Sequence, residues 1–320
     1  MKEIIIKKND AEQRIDKFLA KSFPNLPQAL IYKYIRKKYI KINEKRCQIS
    51  TKLSVGDVLS LYIKDEFFER NKNKYDFLKA PGKSDILFED ENILLLNKEA
   101  GLLVYPDKTN YQDSLIARVK KYLYEKGEYL PEMENSFSPA LINRIDRNTC
   151  GIVVAAKNAE TLRILNEKMK NREIKKFYLC LVCGYISQKS GILSGFLEKN
   201  HEQNRVYITS HSNTFSKKIK TKYKVIAEWQ NLSLLEVELL TGRTHQIRAH
   251  LAFIGHPIVG DSKYGKSLQN KNTRCKWQAL CSYKVIFKFE GSAGILNYLN
   301  GKEFKVDHVA FLKNLINPLA

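Results

Sequence analysis

Acidic residues are in short supply: 34 Asp and Glu face 55 Lys and Arg over 320 residues, a formal charge of +21. That deficit points to a polyanionic partner, with nucleic acid first and an anionic membrane second. Long apolar runs are also missing. The longest aliphatic stretches, such as "ILLL" at Ile93 to Leu96, fall far short of a membrane span, so the membrane reading is set aside. No apolar signal segment follows the opening "MKEIIIKKND", and a cytoplasmic protein is expected. Glycine (15) and proline (8) are few, and neither an internal repeat nor a low-complexity tract is found. A genome rich in A and T would produce the same Lys- and Ile-rich bias, so charge by itself does not name the partner.

Six cysteines are present, but only Cys180 and Cys183 form a C-x-x-C. The pair lies in "FYLCLVCGYI", a strand pattern that sends residues at an odd offset to opposite faces. No second C-x-x-C accompanies it, which argues for packed free thiols and against a zinc site.

Two units are expected, an N-terminal domain over 1–65 and a larger one over 85–316, joined by a linker over 66–84. Residues 1 to about 65 are more basic per residue than the whole chain. In "QALIYKYIRKKYIKINEKR", Ile31, Tyr34 and Ile35 recur at helical spacing and predict a core-facing side. Lys33, Arg36 and Lys37 share that spacing on another face, and Lys38, Lys41, Lys45 and Arg46 extend the stripe. A strand in "YIKIN", a turn near Asn43 and Glu44, and a final strand after Gly56 and Asp57 complete a small α/β unit. The stripe reads as a phosphate-contacting surface, against the alternative of a solvated helix face. The linker text "DEFFERNKNKYDFLKAPGKS" is charged and lacks clear periodicity. The larger unit reads as α+β with a mainly antiparallel sheet and flanking helices. Its clearest helix is "NAETLRILNEKMKNR", with Asn158 as cap and Leu162, Leu165 and Met169 at helical spacing.

Three segments carry chemistry. In "PALINRIDRNTCGIVVAAK", Asp146 sits between Arg144 and Arg147 where a strand is expected to meet a tight loop. Cations beside a carboxylate favour its charged form, which suits a nucleophile or base and does not suit a general acid. A structural ion pair is the competing reading. In "TGRTHQIRAHLAFIGHPIVGDSKYG", Thr244 is expected to cap a helix whose apolar face holds Ile247, Leu251 and Ile254, ended by Gly255 and Pro257. Arg243 before the helix and Arg248 in its early turns would make an anion-holding site. His245, His250, His256 and Asp261 raise a metal reading, but histidines five apart do not stack on one helix face. In "KKFYLCLVCG", Tyr178 is either a sheet tyrosine or a platform for a nucleobase.

Together with "NKEAGLLVYP" at 97–106, these segments resemble the RluA-type pseudouridine synthases, from about residue 85 to 290. Residues 12–63 resemble the αL RNA-binding module shared by a small-subunit ribosomal protein, tyrosyl-tRNA synthetases and several RNA-modifying enzymes. The resemblance implies that Asp146 is the essential carboxylate, set against a uridine flipped from its helix. It implies further that Tyr178 stacks on the uracil and assists removal of the C5 proton, that Arg248 pairs with the carboxylate, and that Arg144 enters the RNA. No metal or organic cofactor, no membrane and no obligate protein partner is implied, and ribosomal RNA of the large subunit is the favoured substrate over transfer RNA. The family usually has His where Asn143 stands, Ser where Cys150 stands and Pro where Glu99 stands. A non-catalytic RNA-binding or ribosome-assembly protein on the same scaffold and a metal-dependent RNA hydrolase are the alternative classes.

Overall fold

The computed structural model describes residues 1–69, 74–107, 113–200, 202–265 and 275–312. In the N-terminal unit, β1 (Lys2–Ile5), α1 (Ile15–Ser22), α2 (Gln28–Arg36), β2 (Ile40–Ile42), β3 (Lys45–Arg46) and β4 (Val58–Leu61) follow in order. The strands pair antiparallel as β1-β4-β2-β3. Ile31 and Ile35 of α2 are buried against Phe18 and Leu19 of α1, while Tyr34 is only partly covered. The β2–β3 hairpin turns on Asn43 and Glu44, both at positive φ (49° and 61°), the backbone twist that a two-residue hairpin loop demands.

The larger unit contains β5 (Ile86–Glu89), β6 (Ile93–Lys98), α3 (Leu115–Glu125), β7 (Ala140–Leu141), β8 (Cys150–Ala156), α4 (Ala159–Lys170), β9 (Ile174–Cys183), β10 (Ser190–Asn200), β11 (Arg205–Thr209), β12 (Lys217–Trp229), β13 (Leu232–Leu239), α5 (Gln246–Phe253), β14 (Leu280–Phe287) and β15 (Glu303–Lys305). Its strands form an 11-stranded sheet along β11-β10-β12-β13-β9-β14-β8-β6-β5, with β15 on β14 and β7 on β8. Among the described pairs, β14 with β8 is parallel and the others are antiparallel. The sheet therefore mixes both modes while remaining mainly antiparallel.

Helix α4 begins as its sequence predicts, with Asn158 Oδ1 accepting from Thr161 N at 2.8 Å. Leu165 is fully buried, and Leu162 and Met169 pack beside it. Helix α5 differs from expectation. It starts at Gln246, preceded by His245 in the left-handed region (φ 53°), and Thr244 caps nothing. The Gln246 side chain instead turns back on the preceding segment, its Oε1 accepting from Arg243 N at 3.2 Å. Ile247 and Leu251 are buried under the sheet with Ile254 packed against them, and Gly255 (φ 88°) ends the helix.

The strand expected up to Asp146 is also shorter. It stops at Leu141, and residues 142–149 form a loop. Asn143 explains the change: its Nδ2 donates to Ile152 O (3.1 Å) and its Oδ1 accepts from Val154 N (2.8 Å). A side-chain amide here imitates a neighbouring strand, so the backbone is released to turn while remaining tied to β8.

The segment expected as a linker is partly docked. Phe67 and Phe68 pack on the N-terminal core, and Phe77 and Ala80 on the larger one; residues 70–73 lie outside the described residues. Polar contacts join the two units directly. Buried Asp10 accepts from Asn135 Nδ2 (2.7 Å) and from Ser136 Oγ (2.8 Å), and Asn9 Oδ1 accepts from Ala159 N at the start of α4 (3.1 Å).

Candidate active site

A cavity of about 810 Å³ opens on the face of the sheet covered by α5, with Asp146, Tyr178, Arg248, His245, Arg144 and Arg243 among its lining. The volume lies within the roughly 300–1,000 Å³ usual for small-molecule sites.

Tyr178 lies in mid-sheet, opposite Val237 of β13 and Ser282 of β14. It is 5 % exposed. Burial, reinforced by the negative charge of Asp146, pushes its phenol well above the ordinary value, so the hydroxyl stays protonated.

Asp146 projects from the 142–149 loop, half-buried. Sequence proximity suggests that Arg144 and Arg147 supply its cationic setting, but the structure assigns them elsewhere. Arg144 is exposed and lies over the Tyr105 ring, 5.9 Å from its centroid. Arg147 Nε donates to Gly101 O at 3.0 Å, and its own carbonyl accepts from Gly101 N at 2.9 Å. The cation on Asp146 comes from 102 positions away: Arg248 Nη1 donates to Asp146 Oδ2 at 2.8 Å.

Nor is Arg248 an open anion holder. Its Nε and Nη2 grip Asp261 at 2.7 and 2.9 Å in a bidentate pair, leaving Nη1 for Asp146. Burial pushes the Asp261 carboxyl up, but the Arg248 hydrogen bonds and charge outweigh it and the group ends below its usual range. Arg248 is likewise driven down by burial and more than restored by its two acidic partners. Backbone N–H groups of Lys263 and Tyr264 also donate to Asp261, at 2.9 and 3.1 Å. The Tyr264 ring lies under the Arg248 guanidinium, 5.1 Å away. These partners hold Arg248 rigidly, and Arg248 in turn aims the Asp146 carboxylate.

His245 joins the same cluster. Its Nδ1 is 3.0 Å from Tyr264 Oη, which already accepts from Val206 N at 2.9 Å. Its Nε2 stands 3.9 Å from Asp146 Oδ2. Burial lowers the imidazole pKa further than Asp146 can raise it, with the Arg248 and Lys263 charges adding to the fall. The ring is therefore a neutral neighbour of the carboxylate.

The other histidines are engaged separately, His250 Nδ1 with Thr221 Oγ1 and His256 Nδ1 with Cys183 O, both at 2.9 Å. Among the described residues, no group of three His, Cys, Asp or Glu side chains is arranged to hold a metal. All six cysteines are free thiols.

Lys98 is a residue that pattern reading missed. It is 1 % exposed, and its ammonium donates to Glu99 O, Leu102 O and Arg147 O at 2.8, 2.8 and 2.9 Å. Burial lowers its pKa to about 8. It ties the 99–102 turn to the loop that carries Asp146. A lysine following an apolar strand normally signals a solvated end, so nothing in the pattern marks it. Glu99 reaches outward to Arg118 at 2.8 Å.

The exposed cations of the N-terminal unit, Lys33, Arg36, Lys37, Lys38 and Arg46, line a surface separate from the cavity. Lys33, Arg36 and Lys37 share one side of α2 and its end. Lys38 turns away in the left-handed region (φ 63°), and Arg46 follows on β3.

The sequence and fold match a known class. Residues 92–253 fit the RNA pseudouridylate synthase family model, and residues 13–59 fit the S4 domain. An uncharacterized RNA pseudouridine synthase of Mycoplasma genitalium is 32% identical over 323 residues, covering 98% of each chain. The ribosomal large subunit pseudouridine synthase C of Vibrio cholerae is 29% identical over 266 residues, 82% of this chain and 80% of that one. Human RNA Pseudouridylate Synthase Domain Containing 4 has the same fold, with a TM-score of 0.57, 18% identity, and coverage of 73% of this chain and 92% of that one. The chain belongs to the RluA-type RNA pseudouridine synthases that carry an N-terminal S4 domain, and it is an isomerase. Among the described residues, no helix is long and apolar enough to cross a membrane.

Proposed function

We propose that this enzyme isomerises uridine in large-subunit ribosomal RNA, with Asp146 as the reacting carboxylate. One observation carries the reading: the Asp146 carboxylate is aimed by an immobilised Arg248 into a cavity that also holds Tyr178. A flipped uridine enters that cavity. Uracil leaves C1′, turns, and rejoins through C5. Asp146 starts the reaction, either by adding to C1′ or by removing a sugar proton to give a glycal. Nothing is oxidised or reduced overall, so the chemistry requires no metal or organic cofactor.

Tyr178 stacks on the uracil. A phenol whose pKa is raised by burial is a poor base, which favours stacking over removal of the C5 proton. Arg144, exposed on the rim, enters the RNA and fills space left by the flipped nucleotide, while Arg147 and Arg243 meet neighbouring phosphates. The stripe of Lys33, Arg36, Lys37, Lys38 and Arg46 holds the flanking RNA. Asn143 acts on the loop that presents Asp146, because its side chain is committed to β8. The large-subunit assignment draws on the basic S4 domain and on the name of the Vibrio relative.

Pseudouridine mapping of ribosomal and transfer RNA, from cells with and without the protein, tests this reading. Sites in large-subunit RNA should vanish on deletion and return with wild type but not with Asp146→Asn. Restoration by Asp146→Asn would remove Asp146 from the chemistry. Sites that vanish only from transfer RNA would redirect the substrate.

A further inference from the structure

Behind the sheet lies a second cavity, of about 570 Å³, whose lining includes Cys150, Cys281, Cys275, Lys98, Trp277 and Phe311. Cys150 is the first residue of β8 and faces Cys281 of β14 in the parallel register. Adjacent strands run about 4.8 Å apart, inside the roughly 4.4–6.8 Å that a disulfide spans between Cα atoms. Their approach here is close. Gly151, at φ 107°, would place a Cβ 2.2 Å from Ser282 O, so only glycine lets the strands meet in this way. Both cysteines line the same cavity.

We propose that Cys150 and Cys281 form an oxidisable dithiol, a modification site for hydroperoxides that converts to a disulfide clamping β8 to β14 directly behind the Asp146 loop. The roles of the two sulfurs differ. The hydrogen bond from Cys281 and the Lys98 charge together outweigh burial and bring Cys150 below the usual thiol range, while Cys281 is held well above it. Cys150 is therefore the attacking thiolate and Cys281 the proton-bearing partner. The Cys150 thiolate attacks the hydroperoxide oxygen, the O–O bond breaks, and the alcohol leaves with a proton while Cys150 becomes a sulfenic acid. The Cys281 sulfur then attacks Cys150, the S–S bond forms, and the hydroxyl leaves as water with the Cys281 proton. Two thiols are oxidised and one hydroperoxide is reduced. Cys275 lines the same cavity but lies outside this strand pair, so it is a built-in control.

Treating the full chain with hydrogen peroxide and analysing intact mass and non-reduced peptides tests the proposal. The expected result is loss of two hydrogens and a cross-linked peptide joining Cys150 to Cys281, both reversed by a reductant. Cys150→Ser and Cys281→Ser should abolish the cross-link, and Cys275→Ser should leave it intact. Serine at 150 is nearly isosteric and can keep the donation that Cys150 makes to Leu280 O, so folding should survive. A cross-link through Cys275, or oxidation to sulfinic acid without any cross-link, would overturn the proposal. None of these readouts requires isomerase activity, so their failure is distinct from failure of the proposed function.

Discussion

The two units of this chain use positive charge in opposite ways. In the cleft, Arg248 is buried, commits all three of its donor positions to Asp261 and Asp146, and has one available geometry. On the S4 domain, Lys33, Arg36, Lys37 and Lys38 are exposed on long side chains. Buried charge is costly to bring out of water and is kept only where its partners are complete, which makes it rigid. Exposed charge is screened and adaptable, suited to a partner that arrives surrounded by counterions. On the proposed function, the lesson is a division of labour: precision where a bond is to be broken, and tolerance where RNA is only held.

The largest effect should come from Asp146→Asn. Isomerisation is expected to fall by at least about 10³-fold, while RNA affinity in a filter-binding assay changes little. An equal fall in both would mean that the cleft also dominates binding. Next is Asp261→Ala, which leaves Arg248 with only Asp146. Breaking a buried pair typically costs about 3–5 kcal/mol, to be read from urea unfolding, and activity should drop even though Asp261 reaches Asp146 only through Arg248.

A third test uses pH. Burial holds His250 at about 4, below its ordinary 6.5, so the native state resists its protonation. Between those values the unfolded chain binds more protons than the native one. The contribution to stability is therefore complete above pH 6.5 and disappears as pH falls through about 4. His250→Gln should remove that pH-dependent loss, roughly 1–3 kcal/mol across the window.

The gentlest change is on the S4 side. Replacing Lys33, Arg36, Lys37 and Lys38 by alanine should reduce the salt slope of RNA binding by about 0.7–0.9 for each phosphate that is no longer neutralised. Turnover on saturating RNA should hold. An unchanged salt slope would return the stripe to an ordinary solvated face.

Much of the fold was legible because its signals are local. The Asn158 cap, the buried Ile31 and Ile35, and the Asn43–Glu44 turn each depend on residues a few positions apart. The misreadings share a cause. Thr244 has the chemistry of a cap, but His245 in the left-handed region takes the cap position and the helix starts one residue later than expected. The strand leading to Asp146 ends early because Asn143 pairs with β8 through its side chain, a contact across the sheet. In the site, Asp146, Tyr178 and Arg248 stood out as residue types in recognisable motifs. Lys98 did not, because a buried ammonium sharing three carbonyls cannot be told in sequence from a solvated lysine.

By itself, then, the sequence determined the family, the two-unit plan, the helix and strand periods, and the residues gathered at the cleft. Periodicity and motif order are properties of neighbours along the chain. The family resemblance pointed to Arg248 as the partner of Asp146, but only the tertiary structure shows that the flanking arginines give up that role and how Arg248 is held in place for it. The flanking Arg144 and Arg147 turn to Tyr105 and Gly101, and the distant Arg248 takes the place that proximity in sequence suggested for them. The reason is physical: a buried ion pair must satisfy its geometry and its desolvation at once, and a rigid helix backed by Asp261 can do so where two exposed loop arginines cannot.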